Sequence, residues 1–134
     1  VDTSYGLIVP NIKNVNGKSI FEISKEVKEL ADLANKRRLK TDQLIGATFT
    51  ISSLSGIGGK YFTPIINPPE VGILGLSKTY DSLQLDDLKL QTTKQLPLSL
   101  SYDHRVINGV YAIKFLNELN KLLNDVNFLE SSFK

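Results

Sequence analysis

The sequence predicts a mixed α/β domain, of the α+β or mixed α/β class, and three observations support this prediction. Two segments repeat apolar residues at helical spacing, and several short runs are rich in β-branched or alternating residues. These elements follow neither a regular βαβ order nor a Rossmann pattern. With 134 residues, 41% apolar and 22% charged, the chain has the length and balance of one globular domain with its own core.

The N-terminal third contains the clearest helix signal. Residues 6–10 form a short extended apolar run that ends in proline, and the polar residues 14–18 predict a turn. Ser19 and Glu22 have the spacing of a capping box, which predicts that a helix begins there. The basic residues 36–38 are expected in its last turn, where cations interact favourably with the helix dipole. Its predicted apolar face consists of Ile20, Ile23, Val27, Leu30, Ala31 and Ala34.

The middle of the chain predicts two strands separated by loops. Residues 44–51 are rich in β-branched and aromatic side chains, so we expect a strand that runs into residues 52–55. Residues 56–59, Gly-Ile-Gly-Gly, predict a plain loop, because the lysine and the spacing of a phosphate-binding motif are absent. Residues 62–69 contain three prolines and should be irregular, whereas residues 71–76 predict a buried strand.

The C-terminal part predicts a hairpin, a strand and a long helix. Residues 80–95 are polar with weak apolar alternation, as in an exposed hairpin. Residues 96–102 alternate apolar and polar side chains, as a half-buried strand does. After Gly109 the apolar residues recur at helical spacing and predict one helix: Val110, Ile113, Leu116, Leu119, Leu122, Leu123 and Val126.

Composition excludes several classes of function. The net charge of +2 is too small to indicate a nucleic-acid-binding surface, and the absence of cysteine excludes disulfides and thiolate sites. A single histidine without cysteine does not form a zinc site, so no metal is expected. No apolar stretch reaches the roughly 20 residues of a membrane helix, and no secretory signal is present, so no membrane association is expected. Because the chain opens at Val1 rather than at a methionine, we expect it to be a processed or excised piece of a longer protein.

Two groups of residues are candidates for chemistry. His104 lies where the predicted strand 96–102 ends and the helix begins, a position that suits a general base. From the pattern alone, a histidine that satisfies local hydrogen bonds on a surface loop is the more common case. Ser52 and Ser53 follow a predicted strand, where a hydroxyl can be a nucleophile or an oxyanion donor, although serines there more often form turns. Neither serine lies in a G-x-S-x-G elbow, which weakens a hydrolase interpretation.

Three segments together resemble one protein family. Residues 1–10 begin Val-Asp-Thr and end Gly-Leu-Ile-Val-Pro, and residues 49–54 read Phe-Thr-Ile-Ser-Ser-Leu before Thr-Pro-Ile-Ile-Asn and Pro-Glu. Residues 103–109 read Asp-His-Arg-Val-Ile-Asn-Gly. In order and spacing they are similar to the VDTxxGLxxP, FTIS and DHRxxDG motifs of the catalytic domain of dihydrolipoamide acyltransferases, the cores of 2-oxoacid dehydrogenase complexes. The resemblance covers essentially the whole chain.

The resemblance implies a chloramphenicol-acetyltransferase-like fold and acyl transfer between dihydrolipoamide and coenzyme A. By position, His104 corresponds to the general base that takes the thiol proton of coenzyme A, and Ser52 to the hydroxyl that donates a hydrogen bond to the oxyanion. In this family the two residues meet across a trimer interface. The pKa of a free thiol is about two units above that of free imidazole, so a positioned base assists the reaction at neutral pH. Coenzyme A is then a substrate, the lipoyl group is carried on a separate domain, and no metal is implied.

Asn108 departs from the DHRxxDG motif, in which aspartate is usual. Asparagine keeps the size and hydrogen bonding of aspartate but lacks its charge. If the position only organises the loop around His104, catalysis survives; if it must carry charge, catalysis suffers. The similarity of residues 69–78 to the pyruvate branch of the family makes acetyl the expected group.

The resemblance also implies an assembly. Residues 1–134 correspond to the C-terminal portion of the catalytic domain, so apolar surface should be exposed. The implied partners are a homotrimer and larger core, a lipoyl domain, and the decarboxylase and dihydrolipoamide dehydrogenase components bound through upstream modules. The implied location is the bacterial cytoplasm, or alternatively the mitochondrial matrix. A second hypothesis is a non-catalytic scaffold or assembly fragment of the core, whereas the FTIS and DHR segments disfavour an antibiotic O-acetyltransferase.

Overall fold

The structure, a computed structural model, describes residues 1–54, 56–86 and 88–133 of the chain. None of the helices in this described part is long and apolar enough to cross a membrane. The chain divides into two units, one formed by Val1–Ala47 with Asn117–Lys134 and one formed by Thr48–Leu116. The elements in chain order are β1 (Asp2–Thr3), β2 (Gly6–Leu7), α1 (Ile20–Asn35), β3 (Thr50–Ser53), β4 (Gly72–Leu76), β5 (Tyr80–Asp86), β6 (Lys89–Gln95), β7 (Leu98–Tyr102), α2 (Gly109–Asn124) and α3 (Val126–Ser132).

The predicted capping box of α1 is confirmed. The Ser19 hydroxyl accepts the backbone N–H of Glu22 at 3.3 Å, and the Glu22 carboxylate accepts the backbone N–H of Ser19 at 2.7 Å. The Ser19 backbone N–H, and then its hydroxyl, lower the pKa of Glu22 because both stabilise the ionised carboxylate. Leu30 and Ala34 are the buried residues of the apolar face. Local sequence therefore determines where this helix begins.

The basic residues 36–38 do not lie in the last turn of α1, as was predicted, because the helix already ends at Asn35. Arg37 has a left-handed φ of 55°, and its N–H donates to the Ala34 carbonyl at 3.0 Å. The N–H of Arg38 donates to the Leu33 carbonyl at 2.9 Å, which completes a Schellman motif. The Arg37 guanidinium lies 3.9 Å from the Tyr5 ring centroid.

The strand predicted from residue 44 is much shorter than expected, because β3 contains only Thr50–Ser53. Gly46 has a φ of 80°, a left-handed conformation that interrupts extended backbone. The Ile45 carbonyl accepts the Asn11 side-chain amide at 2.8 Å instead of a strand partner. Ser52 and Ser53 lie inside β3, which confirms the predicted continuation of the strand into these residues and places them within the strand rather than after it. Ser55, to which the prediction extended, lies outside the described residues.

The second unit is built on a three-stranded sheet in the order β3-β4-β7. The central strand β4 is parallel to β3 and antiparallel to β7, and its first four residues are buried, which confirms the predicted buried strand. The loop at residues 56–59, the irregular segment 62–69 and the strand ending at Tyr102 are confirmed as well. Within the described residues, strands β5 and β6 pair with each other and form the predicted exposed hairpin, of which residue 87 lies outside the described part of the chain.

Two glycines in β4 allow aromatic rings to approach the backbone closely. A Cβ atom on Gly72 would lie 3.1 Å from the Phe49 ring, and one on Gly75 would lie 2.8 Å from the Phe62 ring. Phe49 also contacts Phe115, with ring centroids 5.9 Å apart. Because side chains alternate across a strand, Gly72 and Gly75 face opposite sides of the sheet. Each face of β4 is therefore covered by a phenylalanine ring.

The single C-terminal helix that was predicted is two helices. Asp125 is extended, with φ −90° and ψ 103°, and interrupts the helix between Asn124 and Val126. Its side chain accepts the backbone N–H of Phe128 at 3.1 Å, so Asp125 is the N-cap of α3. Val126 consequently begins α3 rather than ending α2.

Candidate functional site

The only histidine of the chain lies in a turn between β7 and α2, as was predicted. The turn is held at Asp103, whose carbonyl accepts the backbone N–H groups of Val106 at 3.0 Å and Ile107 at 2.9 Å. The N–H of Asp103 donates to the Val71 carbonyl at 2.9 Å, next to the first residue of β4. His104 itself is exposed. Backbone hydrogen bonds on its N-terminal side thus anchor the turn that presents the imidazole.

The residues on either side of His104 form a close ion pair. The Asp103 carboxylate accepts Nη2 of Arg105 at 2.6 Å, Nε at 2.9 Å, and the backbone N–H of Arg105 at 3.0 Å. These hydrogen bonds, the side-chain ones above all, lower the pKa of Asp103 to about 2 and raise the pKa of Arg105. The Asp103 carboxylate is therefore ionised at neutral pH, and it is hydrogen-bonded to the Arg105 guanidinium.

Replacing Arg105 with glutamine is expected to raise the pKa of Asp103 from about 2 towards its ordinary value of 3.8. Because the folded-state pKa is depressed, the pair stabilises the fold above pH 3.8, and that contribution is lost as the pH falls towards 2. Carboxyl ¹³C NMR titration of Asp103 measures the change. Lys94→Gln, at the exposed 3.1 Å pair with Asp81, is the control and should leave the Asp103 titration in place. An unaltered Asp103 titration in Arg105→Gln contradicts the assignment.

His104 borders an open depression of about 660 Å³. The Tyr102 ring forms one wall, with its centroid 5.7 Å from that of the imidazole and the planes inclined at 38°. Apolar residues of the irregular segment before β4 form much of the opposite wall. The lining residues are Ile66, Pro68, Pro69, Glu70, Val71, Tyr102, Asp103, His104, Arg105 and Val106. The depression can therefore receive a mostly apolar chain that places one polar group beside the imidazole.

Glu70 is a buried carboxylate in this depression that sequence reasoning did not single out. It is 8% exposed, and its Oε2 accepts the hydroxyl of Thr50 at 2.6 Å. Its Oε1 accepts the Asn67 side-chain amide at 3.5 Å, and its backbone N–H donates to the Asn67 carbonyl at 3.0 Å. The hydrogen bond between Thr50 and Glu70 joins the first residue of β3 to the segment that leads into β4. The sequence signal that could have identified Glu70 is its position at the end of a proline-rich segment and directly before a predicted buried strand.

Asn108 caps α2. Its Oδ1 accepts the backbone N–H of Tyr111, the third residue of the helix, at 2.9 Å, and its carbonyl accepts the N–H of Ala112 at 3.1 Å. Asparagine and aspartate are both strongly preferred at this position, because either side chain accepts a hydrogen bond from the first turn. The geometry therefore favours the alternative in which residue 108 organises the turn around His104 and needs no charge.

Asn108→Ala is expected to lower the free energy of unfolding by about 1 kcal/mol, whereas Asn108→Asp should preserve it to within a few tenths. The alanine variant loses the cap, and the aspartate variant keeps it. Chemical denaturation measures both, with Asn117→Ala at an exposed position within α2 as the control that should lose nothing. Equal stability of Asn108→Ala and the parent chain would show that the cap is dispensable.

Ser52 lies on β3, where it is half-buried and pairs with Gly75. Tyr102 pairs with Gly72, three residues away along β4 and on the other side of that strand. Standard strand spacings put the Cα atoms of Ser52 and Tyr102 about 14 Å apart, and the chain continues outward from Tyr102 to His104. Ser52 does not line the depression beside His104. Within one chain, two of the three predicted site residues, His104 and Asn108, therefore lie in the same turn. Ser52 lies on β3, outside the depression beside His104.

The described residues contain no group of three or more histidine, aspartate or glutamate side chains that could hold a metal ion. Among the ionisable side chains that line the depression, the Asp103 carboxylate is bound by Arg105 and the Glu70 carboxylate accepts the Thr50 hydroxyl, which leaves His104 as the acid–base candidate.

Comparison with known proteins gives a consistent result. Residues 1–130 match the family model described as 2-oxoacid dehydrogenases acyltransferase (catalytic domain). The chain is 50% identical over 129 residues to the dihydrolipoyllysine-residue acetyltransferase component of the pyruvate dehydrogenase complex of Pseudomonas aeruginosa. That match covers 96% of this chain and 24% of the relative, so the chain spans about a quarter of the length of this curated relative.

Solved structures agree with this result. A dihydrolipoamide acetyltransferase of Azotobacter vinelandii, studied for a serine, a histidine and an asparagine in its catalytic mechanism, is 51% identical with a TM-score of 0.89. The cubic core of a pyruvate dehydrogenase multienzyme complex is 52% identical, also with a TM-score of 0.89. Each match covers 94% of this chain and 52% of the solved chain. The predicted fold, the chloramphenicol-acetyltransferase-like fold, is confirmed, and the chain belongs to the 2-oxoacid dehydrogenase acyltransferase family through its catalytic domain.

Proposed function

We propose that this chain is the C-terminal portion, residues 1–134, of the catalytic domain of a dihydrolipoamide acetyltransferase, which transfers an acetyl group between dihydrolipoamide and coenzyme A. One observation carries the proposal. In the Azotobacter enzyme the serine precedes the histidine by 52 positions and the asparagine follows the histidine by 4. Ser52, His104 and Asn108 have the same separations. The match to half of each solved chain supports the assignment of the domain portion.

His104 is the general base of the proposed reaction. Its imidazole takes the proton of the coenzyme A thiol, and the thiolate attacks the carbonyl carbon of the lipoyl thioester. The tetrahedral intermediate collapses with cleavage of the bond to the lipoyl sulfur, and that sulfur takes the proton back from the imidazolium. The depression beside His104, with its Tyr102 and Ile66 walls, suits the apolar part of a thiol-bearing arm.

Ser52 donates its hydroxyl to the oxyanion of the intermediate, and we assign this serine to a second copy of the chain. The sheet register separates Ser52 and His104 within one copy, whereas the proposed reaction needs both near one carbonyl group. A cyclic assembly in which each copy supplies its histidine to one interface and its serine to the next satisfies this need. The proposed minimum assembly is a homotrimer.

The proposed partners extend beyond the trimer. Leu83, Leu85 and Leu90 lie on the hairpin β5–β6 and are 66%, 69% and 68% exposed, as expected of a surface that other chains cover. A larger core, a lipoyl domain that delivers the acyl group, and the decarboxylase and dihydrolipoamide dehydrogenase components complete the proposed complex. The bacterial sources of the relatives favour the cytoplasm over the mitochondrial matrix.

Mixing two impaired variants tests the shared site. In the assembled enzyme, His104→Ala and Ser52→Ala should each retain no more than about 1% of the parent activity when assayed alone. Random co-assembly of equal amounts should restore about a quarter of the parent activity, because one interface in four then joins an intact histidine to an intact serine. Transfer from acetyl-coenzyme A to dihydrolipoamide is the assay, and the mass in solution verifies co-assembly. A co-assembled mixture without activity contradicts the shared site, and a parent enzyme without transfer contradicts the proposed function.

A further inference from the structure

The buried side chain of Glu70 is tied to the strand that carries Ser52. Glu70 and Thr50 are each 8% exposed, and the Glu70 carboxylate accepts the Thr50 hydroxyl at 2.6 Å. The other carboxylate oxygen accepts the side-chain amide of Asn67 at 3.5 Å, and Asn67 is exposed. The Thr50 hydroxyl is therefore the closer of these two partners, and it is held away from water with the carboxylate that it binds.

Thr50 is placed to control the position of Ser52. It is the first residue of β3, and Ser52 lies two residues further along the strand. Because side chains alternate along a strand, the two hydroxyls lie on the same face, and their Cα atoms are about 7 Å apart. Within the described residues, β3 lies at one edge of the three-stranded sheet, where β4 aligns it from one side. The hydrogen bond to Glu70 gives this edge strand a second anchor at its beginning.

The segment that carries Glu70 also anchors the turn of His104, but through a different hydrogen bond. The carbonyl of Val71 accepts the backbone N–H of Asp103 at 2.9 Å. Both groups belong to the backbone, so this hydrogen bond does not require the Glu70 side chain. Residues 70 and 71 thus hold the serine strand by a side chain and the histidine turn by the backbone.

We propose that Glu70 is a positioning residue for the transfer reaction, because its hydrogen bond with Thr50 fixes where the Ser52 hydroxyl points. This proposal rests on the proposed function, in which Ser52 donates to the oxyanion. A buried carboxylate is costly to desolvate, and an apolar side chain of similar volume would avoid that cost. An oxyanion donor, however, is effective only when it is held closely in its productive position. The hydrogen bond between Thr50 and Glu70 supplies this constraint.

Removing the Thr50 hydroxyl tests the positioning role in the assembled enzyme. Thr50→Val keeps the shape of the side chain but cannot donate to Glu70, so kcat should fall about tenfold or more with little change in KM. The loss should remain smaller than that of Ser52→Ala, because the displaced donor is still present. Thr50→Ser restores the hydroxyl and Glu70→Gln keeps an acceptor for it, so both should retain kcat near the parent value. Steady-state transfer from acetyl-coenzyme A to dihydrolipoamide measures these changes.

Mixed assemblies separate positioning of the serine from general weakening of the fold. In the first mixture, Thr50→Val is added to the His104→Ala chain, which is combined with Ser52→Ala, so the active interface uses the serine of the Thr50→Val chain. In the reciprocal mixture, Thr50→Val is added to the Ser52→Ala chain, so the active interface uses the histidine of the Thr50→Val chain. Relative to the mixture without Thr50→Val, the first should lose activity about tenfold and the second should keep it. A weakened fold would lower both.

The outcomes distinguish this proposal from the proposed function. If the parent enzyme transfers acetyl while Thr50→Val keeps the parent kcat, the positioning role of Glu70 is overturned and the proposed function stands. A loss that is not confined to the first mixture overturns the positioning role as well. If the mixture without Thr50→Val is inactive, the comparison of kcat between Thr50→Val and Thr50→Ser decides.

A second variant covers the case in which Thr50→Val does not fold. The double variant Thr50→Val with Glu70→Leu lacks the hydrogen bond without leaving a buried carboxylate unpaired, so the fold should tolerate it. It should show the same fall in kcat, and a kcat near the parent value would overturn the proposal. A parent enzyme that transfers no acetyl group contradicts the proposed function and this proposal with it.

Discussion

Replacing His104 with alanine is expected to lower kcat/KM for acyl transfer by a factor of roughly 100 to 10,000, which is the range that a positioned general base contributes. No other described residue replaces it at the depression. The Asp103 carboxylate is bound by Arg105, and the buried Glu70 carboxylate accepts a hydrogen bond from the Thr50 hydroxyl. The attacking thiol, which is that of dihydrolipoamide when acetyl-coenzyme A is the donor, would then have to lose its proton to water. Steady-state transfer from acetyl-coenzyme A to dihydrolipoamide measures the loss.

Stability serves as the control for this substitution. His104 is exposed and lies in a turn held by the backbone of Asp103, so the alanine variant should unfold within about 0.5 kcal/mol of the parent. Raising the pH should restore part of the lost rate, because the fraction of free thiolate increases. If the folded alanine variant retains activity near the parent value at neutral pH, the assignment of His104 as the general base is contradicted.

Much of the framework was predictable because it depends on local chemistry. The capping box of Ser19 and Glu22 identifies the start of α1 from two residues three positions apart. The alternation of residues 96–102 identifies β7, and a turn between that strand and Gly109 places His104 at the junction. Each of these features needs only neighbouring residues, so the sequence pattern and the structure agree.

The errors arose where a single residue overrides the average of its segment. Residues 44–49 have the composition of a strand, but Gly46 is left-handed and the Ile45 carbonyl bonds a side chain. The apolar repeat of the C-terminal helix continues through Asp125, yet this aspartate accepts an N–H of the next turn and starts a new helix. Asp125 is a common N-cap residue and was the detectable signal.

Features that join distant segments could not be read from the sequence. The Thr50–Glu70 hydrogen bond spans 20 positions, and the Phe62 ring meets Gly75 only because the loop folds back over the sheet. A glycine within an otherwise apolar strand does signal close approach of another group, but it does not say which group. Likewise, the separation of Ser52 from His104 follows from strand order, which local pattern does not determine.

Replacing Ser52 with alanine is expected to lower kcat roughly a hundredfold to a thousandfold with little change in KM, because an oxyanion donor acts mainly in the transition state. The adjacent serine provides a matched control. Ser53 follows Ser52 on β3 and therefore points to the opposite face of the sheet, away from Gly75 and its phenylalanine cover. Ser53→Ala should retain close to the parent kcat.

The comparison of the two serines also separates catalysis from folding. Both substitutions remove one hydroxyl from the same short strand, so general weakening of β3 would affect kcat similarly in both variants. A loss confined to Ser52→Ala identifies the face of the sheet on which the oxyanion forms, which is the face that Phe62 covers. Equal losses in the two variants, or a rise in KM without a fall in kcat, would instead assign Ser52 to strand stability or substrate binding.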